Sequence, residues 1–327
     1  MYDMHYDLLT ILYFNFVENN KFSNSLKCIN DIKKIYSSNN IKGGIINLYF
    51  MSEEEMKNEL DIDKEKICDV ITMFRESIKI LSYFKYRNII PNNIDFIYSI
   101  EGCDYIKSVD ELIILYYLGL RAILPVWNNE NIYGSGFKSD KGLTQKGEEL
   151  IKKAIELGII IDLSHANSNT FDGIIDVVVS EQQKGKNPIV IASHSNCKSL
   201  CDRQRNLTDK QLIKLRDIGG TIGLFSNSKF LSTDFVETTY IERQKSFLKH
   251  IKYVLNLGFP VDKIVLSTDD MNFSPDSSYH GNESFHLDNI KNEIHRLLSQ
   301  EFSEKDVKKL MYKNAKQIFD RVRNRWK

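Results

Sequence analysis

The chain opens on DMHYD, which offers an imidazole and a carboxylate two residues apart, His5 and Asp7. On a β-strand that spacing puts both side chains on one face, where they can grip a single divalent cation. Glu101 follows the very apolar run Ile94 to Ile100 and precedes Gly102, so a carboxylate stands where a buried strand meets its loop. His165 ends GIIIDLSH and His194 sits in PIVIASHS, two hydrophobic segments that stop on the same Ser-His dipeptide. Neutral imidazoles and carboxylates are what a borderline metal such as Zn²⁺ binds. Asp162, in the same strand as His165, is a candidate support for a neighbouring histidine. Asp269 and Asp270 close the run KIVLSTDD, and one of them could serve as a general base. Arg205 lies in CDRQRNLTD, eleven residues beyond His194, and could clamp a carboxylate, with Arg203 as its competitor.

Each residue taken singly has a plainer explanation: a chance His-x-Asp, a helix cap, a hydrogen-bonded structural histidine, a solvated arginine. The elements that carry them change the balance. Short runs rich in β-branched and aromatic residues recur at Tyr2 to Leu9, Gly44 to Phe50, Ile94 to Ile100, Leu120 to Val126, Ile159 to Ser164, Ile189 to Ser193, Thr221 to Ser226 and Ile264 to Thr268. Several are almost wholly apolar, as in parallel strands buried on both faces. Helical periodicity fills the intervals, in Glu53 to Tyr86 and Glu148 to Leu157, and Thr208 with Gln211 forms a capping box before Leu212 to Ile218. Ser303 with Asp306 starts a further helical segment that runs to Trp326 and is expected to close an outer ring. Eight strand-helix units predict an α/β fold of the (β/α)8 TIM barrel type, and no Gly/Ser/Pro-rich linker divides residues 1–327 into more than one domain. An open doubly wound sheet would need a glycine-rich nucleotide turn after its first strand, and MHYDLLT has no glycine. In a barrel all the candidate donors fall at C-terminal strand ends, the face where such folds build their sites. Three histidines, one aspartate and one glutamate suit two divalent ions that share a bridging carboxylate and a bridging hydroxide.

Composition narrows the partners. The 44 basic residues balance 44 acidic ones, so no overall field favours nucleic acid or an anionic membrane. Five scattered cysteines, an odd number, are poor material for a disulfide framework. With no basic-then-apolar leader at the start and no apolar run of membrane-spanning length, the expectation is a cytoplasmic protein. Other features attract plainer readings. Gly134-Ser135-Gly136 is expected to be a flexible loop over the site, Cys197 and Cys201 to pack on a helix, and His250 and His295 to be surface residues. His280 and His286 fall in a long loop after Asp270 and are candidate bystanders or lid residues.

At this point the sequence resembles the membrane (renal) dipeptidase family of the amidohydrolase-like barrels. DMHYD is similar to the family's Asp-x-His-x-Asp opening, IEG to its Glu-Gly, DLSH and ASHS to its two Ser-His elements, RN to its Arg-Asn and STDD to its Gly-Ser-Asp. The continuous stretch GLTQKGEELIKKAIELGIIIDLSHAN follows the family's pattern as well. The resemblance implies a metallopeptidase with two zinc ions that hydrolyses small dipeptides, and relatives suggest a homodimer. By position it places His5 and Asp7 on one zinc, His165 and His194 on the other, and Glu101 between them. It gives Arg205 the substrate's terminal carboxylate and Asp269 the proton transfer from the bridging water to the leaving amine. Two departures concern the pocket. Trp127, followed by Asn128, stands where mammalian relatives have a substrate-contacting histidine, which leaves Asn128 or the metals to stabilise developing charge. Phe230 stands where a family tyrosine helps hold the carboxylate. Other amidohydrolases, lactonases and phosphotriesterases usually open with His-x-His and often carry a strand-four lysine, whereas this chain has His-x-Asp and RAILPVWN. A non-catalytic metal-binding barrel is the rival that Trp127 and Phe230 suggest, and Asp269 argues against it.

Overall fold

The structure is a computed structural model, and it describes residues 1–18, 22–37, 41–49, 69–234, 239–269 and 289–325. Eight strands lie in these residues: β1 (Tyr2–Tyr6), β2 (Gly43–Tyr49), β3 (Asp95–Glu101), β4 (Leu120–Leu124), β5 (Ile160–Asp162), β6 (Val190–Ala192), β7 (Thr221–Phe225) and β8 (Ile264–Ser267). Each pairs in parallel with the next, in the order β1 to β8. Beyond β8 the chain returns to β1, where the Asp269 N–H donates to the His5 carbonyl at 3.1 Å. The alternation of strands and helices therefore builds a (β/α)8 barrel, as the sequence predicts. Cys28, Cys103, Cys197 and Cys201 are all free and buried. No helix among the described residues is long and apolar enough to cross a membrane.

The inside of the barrel changes chemistry from bottom to top, and period-2 alternation carries the change. On β2 the residues Ile45, Asn47 and Tyr49 share a face, and their in-register partners on β3 are Ile97, Ser99 and Glu101. Ile45 and Ile97 belong to an inner apolar cluster with Met4, Ile160, Ile191 and Val265. Two residues beyond Ile45, Ile97, Ile160, Ile191 and Val265 the inward position is polar: Asn47, Ser99, Asp162, Ser193 and Ser267, all buried. The lower opening is filled by the helix Asn314–Asn324, whose Ala315, Ile318, Phe319 and Val322 join that inner cluster. Phe319 meets Tyr2 edge to face, with ring centroids 4.9 Å apart. This last helix plugs the barrel floor instead of closing the outer ring, because its apolar stripe finds the open bottom of the sheet. Site chemistry is left to the top.

Strand ends differ from the sequence expectation by one to three residues, with one physical consequence. β1 stops at Tyr6, and Leu8–Tyr13 is already helix, with Asp7 at its N-cap position. The run LLTILY is apolar but for Thr10 and buried on all sides, and so reads equally well as strand or buried helix. His5 and Asp7 are thus not neighbours by strand alternation. Pairing register shifts between Asp3 and Tyr6, and Tyr6 turns outward to share a hydrogen bond with Tyr36 (2.6 Å between the hydroxyls). That irregularity and the turn at Asp7 bring the two side chains to 3.9 Å. Of the expected helix Glu53 to Tyr86, the described part is Val70–Tyr86, capped by Asp69. Phe50, residues 53–68, Asp270, His280, His286 and Trp326 lie outside the described residues. The capping box of Thr208 and Gln211 and the Ser303 cap are both present.

His250 is a core residue, and the expectation of a surface position fails. It lies on the inward stripe of helix Tyr240–Asn256, fully buried, accepting from the Cys197 N–H at Nδ1 (3.0 Å) and lying 3.1 Å from the Leu231 carbonyl at Nε2. Charged neighbours on the other face of this helix disguised that stripe. Burial lowers His250 from its ordinary 6.5 to about 4, so folding favours the neutral ring. The associated stability is complete above pH 6.5 and is lost as pH falls toward 4, since the unfolded chain then binds the extra proton. Urea denaturation of wild type and His250→Gln across that window should show the variant losing less stability on acidification, by on the order of 3 kcal/mol at most. Parallel pH profiles would refute the assignment.

Candidate metal centre and active site

Five candidate ligands come together at the top of the barrel, on the ends of four different strands. The Glu101 carboxylate lies at the centre, one oxygen facing each way. Its Oε2 is 2.9 Å from His5 Nε2, and its Oε1 is 2.9 Å from His165 Nε2 and 3.6 Å from His194 Nε2. Two groups of donor atoms, each within 4.8 Å, therefore share Glu101: His5 with Asp7, and His165 with His194. A third such group joins His5, His194 and Asp269, whose Oδ1 is 3.8 Å from His5 Nε2. Asp269 and His165 both hold left-handed backbone conformations, φ 54 and 70, which non-glycine residues adopt mainly where surrounding structure enforces them.

Electrostatics make this cluster a poor home for its own charges. Burial, reinforced by Glu101, pushes the Asp7 carboxyl up to about 8, and burial also raises Glu101 to about 8. Asp269 rises to about 7, again chiefly through burial, with Glu101 and Asp7 adding to it and His5 and Arg205 opposing. His165 and His194 are driven well below the ordinary histidine value, first by burial and then by the positive field of Arg205 and His5. Asp7 Oδ1 is buried without a hydrogen-bond partner. The Nε2 atoms of His165 and His194 face each other at 3.0 Å, an arrangement of two lone pairs that needs a proton or a cation between them. Neutral imidazoles, three carboxylates and an orphaned oxygen fit divalent cations: the donor set is a hard-to-borderline one, and added positive charge would relieve every one of these strains.

The outer nitrogens of the rings are held from behind. His165 Nδ1 lies 2.9 Å from Asn128 Oδ1, and His5 Nδ1 lies 3.1 Å from Asn47 Nδ2. Ser193 Oγ is 2.8 Å from His194 Nδ1 and 3.2 Å from His5 Nδ1. Arg205 is buried beside the cluster, its Nη2 donating to the His194 carbonyl at 3.4 Å, and Asp269 and Glu101 both feel its charge. Arg203 instead reaches the Thr233 carbonyl (3.3 Å) on the rim. Trp127 is half-buried at the mouth, its ring 5.9 Å from that of His165 and 4.8 Å from that of Tyr49, with Lys138 Nζ 5.9 Å from its centroid. Phe230 stacks on Phe225 at 5.0 Å. The Gly134–Gly136 segment is tightly packed and not a loose cover. Ser135 N–H donates to Thr170 Oγ1 (2.8 Å), and a Cβ on Gly136 would stand 1.7 Å from the Trp127 carbonyl.

Asn47, Ser193 and Asp3 are the participants that sequence reasoning passed over. Asn47 carried a signal, being the polar break in the apolar run GGIINLY, and Ser193 stood inside the ASHS motif. Asp162 has a different role from the expected support of a histidine. Its Oδ1 accepts from the backbone N–H of Ser164 (3.0 Å) and of Ser193 (3.0 Å), so it ties the two Ser-His turns together and touches neither imidazole. Asp3 does the same across the seam, accepting from the N–H of His5 (3.3 Å) and of Thr268 (2.9 Å).

The family model described as Membrane dipeptidase (Peptidase family M19) matches residues 1–326, and the chain belongs to that family. In sequence it is similar to an uncharacterised protein of Acinetobacter calcoaceticus, 31% identical over 172 residues, which are 49% of this chain and 51% of that protein. An uncharacterised dipeptidase of Schizosaccharomyces pombe is 26% identical over 171 residues, 51% of this chain and 39% of its own length. The chain thus spans about half the length, or less, of these curated relatives. In fold it is similar to a metallopeptidase from Rhodobacter sphaeroides bound to a phosphinate mimic of the dipeptide L-Ala-D-Ala, with TM-score 0.68, 18% identity and 98% of both chains covered.

Removing the Asp162 clamp leaves two buried N–H groups unpaired, at about 1–3 kcal/mol each. Asp162→Ala should therefore lower unfolding stability by more than Asp162→Asn, which keeps an accepting oxygen. Equal urea midpoints for the two variants would show that the accepted hydrogen bonds are not the source of the effect.

Proposed function

We propose that the chain is a zinc-dependent dipeptidase that hydrolyses the peptide bond of small dipeptides with two divalent ions. His5 and Asp7 would hold one ion, His165 and His194 the other, and Glu101 both. The observation that carries this reading is the buried Glu101 carboxylate, whose two oxygens face two different sets of ligands, in a chain of the membrane dipeptidase family. Support for a dipeptide comes from that family and from the dipeptide mimic bound by the Rhodobacter sphaeroides protein of the same fold.

When bound, the ions supply a Lewis acid for the scissile carbonyl and bring the acidity of a water close to neutral pH. The rest is the work of this chain's side chains. Asp269, at the edge of the cluster with its side chain 24% exposed, takes the proton from the attacking water on its carboxylate and hands it to the leaving amine nitrogen. Arg205, permanently charged and desolvated, offers its planar fork to the free carboxylate of the substrate and fixes the scissile bond over the cluster. Asn128 orients His165 through Nδ1, which keeps the ring's Nε2 aimed at Glu101. Trp127 and Tyr49 wall the mouth with aromatic surface and shed water from it.

Purified, zinc-loaded protein should cleave members of a panel of L,L and L,D dipeptides; a fully loaded protein that cleaves none would overturn the proposal. Asp269→Asn separates catalysis from binding. Asparagine tolerates the left-handed backbone at that position, so the variant should fold and keep its metal while kcat falls roughly 10²- to 10⁴-fold. Retained turnover in this variant would remove Asp269 from the proton pathway.

A further inference from the structure

Ser193 stands at a junction that the ligand assignment leaves unexplained. Its hydroxyl is fully buried and reaches the Nδ1 atoms of two histidines from different halves of the cluster, His194 at 2.8 Å and His5 at 3.2 Å. The two rings are close enough to lie almost against one another, with centroids 3.6 Å apart. Two further contacts fix the hydroxyl in place. The Ser193 N–H donates to Asp162 Oδ1, and the backbone of Gly223 on β7 comes so near that a Cβ there would sit 1.9 Å from the Ser193 carbonyl. A side chain on β7 would push the end of β6 away from the cluster.

We infer that Ser193 is a positioning residue that sets the tautomer of His5 and His194 together and so couples the two cation sites. A histidine that gives its Nε2 lone pair to a cation must carry its proton on Nδ1, and that proton needs an acceptor. One hydroxyl oxygen has two lone pairs and can accept from both rings at once. The other group on His5 Nδ1, the Asn47 amide nitrogen at 3.1 Å, is a donor and favours the opposite tautomer, in which Nε2–H faces Glu101. Loading a cation at His5 therefore shifts the ring from the partner Asn47 to the partner Ser193. The hydroxyl serves either state by rotating. His165 is independent of it, since its Nδ1 faces Asn128.

This inference rests on the two-ion reading above, and its test separates the two. Zinc binding to metal-free protein is followed by equilibrium dialysis, and the histidine N–H signals of the zinc-loaded protein by ¹⁵N-edited NMR. Wild type should bind two ions and show slowly exchanging Nδ1–H signals for His5, His165 and His194. Ser193→Ala should weaken both binding steps by about tenfold to a hundredfold and lose the His5 and His194 signals while keeping that of His165. Ser193→Thr, which retains a hydroxyl, should restore both signals, and Asn47→Ala should leave the His194 signal unchanged. Wild-type affinities in Ser193→Ala, or weakening of one step alone, would overturn the coupling. If Ser193→Ala does not fold, the wild-type spectrum decides: absence of either the His5 or the His194 Nδ1–H signal refutes the inference. Failure of wild type to bind two ions refutes the underlying site instead.

Discussion

Everything at the top of this barrel depends on one buried carboxylate. Glu101 ends β3 with its side chain 3% exposed, and its oxygens divide between His5 on one side and His165 with His194 on the other. A carboxylate so placed is costly unless positive charge reaches it. Among the described residues, the guanidinium of Arg205 stands against Glu101, Asp7, Asp162 and Asp269. That imbalance is why the donor set fits divalent cations, and why the inward residues below it grade from serine and asparagine to isoleucine: each polar group lies next to the cluster, and each apolar one seals it from the floor.

Holding the cluster requires more than ligands. Asp3 and Asp162 perform the same task at two places in the ring, each accepting an N–H from two residues ahead in its own strand and another from the neighbouring strand. In both cases the neighbour's bonded residue immediately precedes a site residue, Thr268 before Asp269 and Ser193 before His194. The strands end just where backbone partners would otherwise be missing, and a carboxylate replaces the lost ladder. Asp269 and His165, which hold left-handed φ, each directly follow a residue whose N–H is held by one of these ties.

How much of this was legible in the sequence follows from which signals are local. All eight strands were readable because buried parallel strands are apolar runs, and Glu101, His165 and His194 were visible because each interrupts such a run with a group that apolar cores exclude. The pairing of His5 with Asp7 was anticipated for the wrong reason, since a register shift and a turn bring them together. His250 was hidden by its charged neighbours on one helix, although its own stripe is apolar. The parts that stayed out of reach are long-range: nothing near Asp162 in sequence says that its oxygen meets Ser193, thirty-one residues away. Nor does the terminal helix announce that it will plug the barrel, because an amphipathic stripe looks the same whether it faces the outer layer or the floor.

Several polar side chains near the opening are already engaged. Asn128 is engaged with His165, Asp162 with two backbone amides, and Asn47 and Ser193 with the backs of imidazoles. Also around the opening, among the described residues, stand Arg205, Asp269, Trp127 with Tyr49 against it, and Lys138 above the indole. An indole N–H can donate one hydrogen bond but cannot carry the charge of an imidazolium. On the dipeptidase reading, negative charge developing on the carbonyl must then be met by the cations, and the anionic end of the substrate by Arg205. The position of Trp127 bears on what fits in the mouth, while His165 behind it keeps its geometry through Asn128, whose backbone is clamped by the close approach of Gly136.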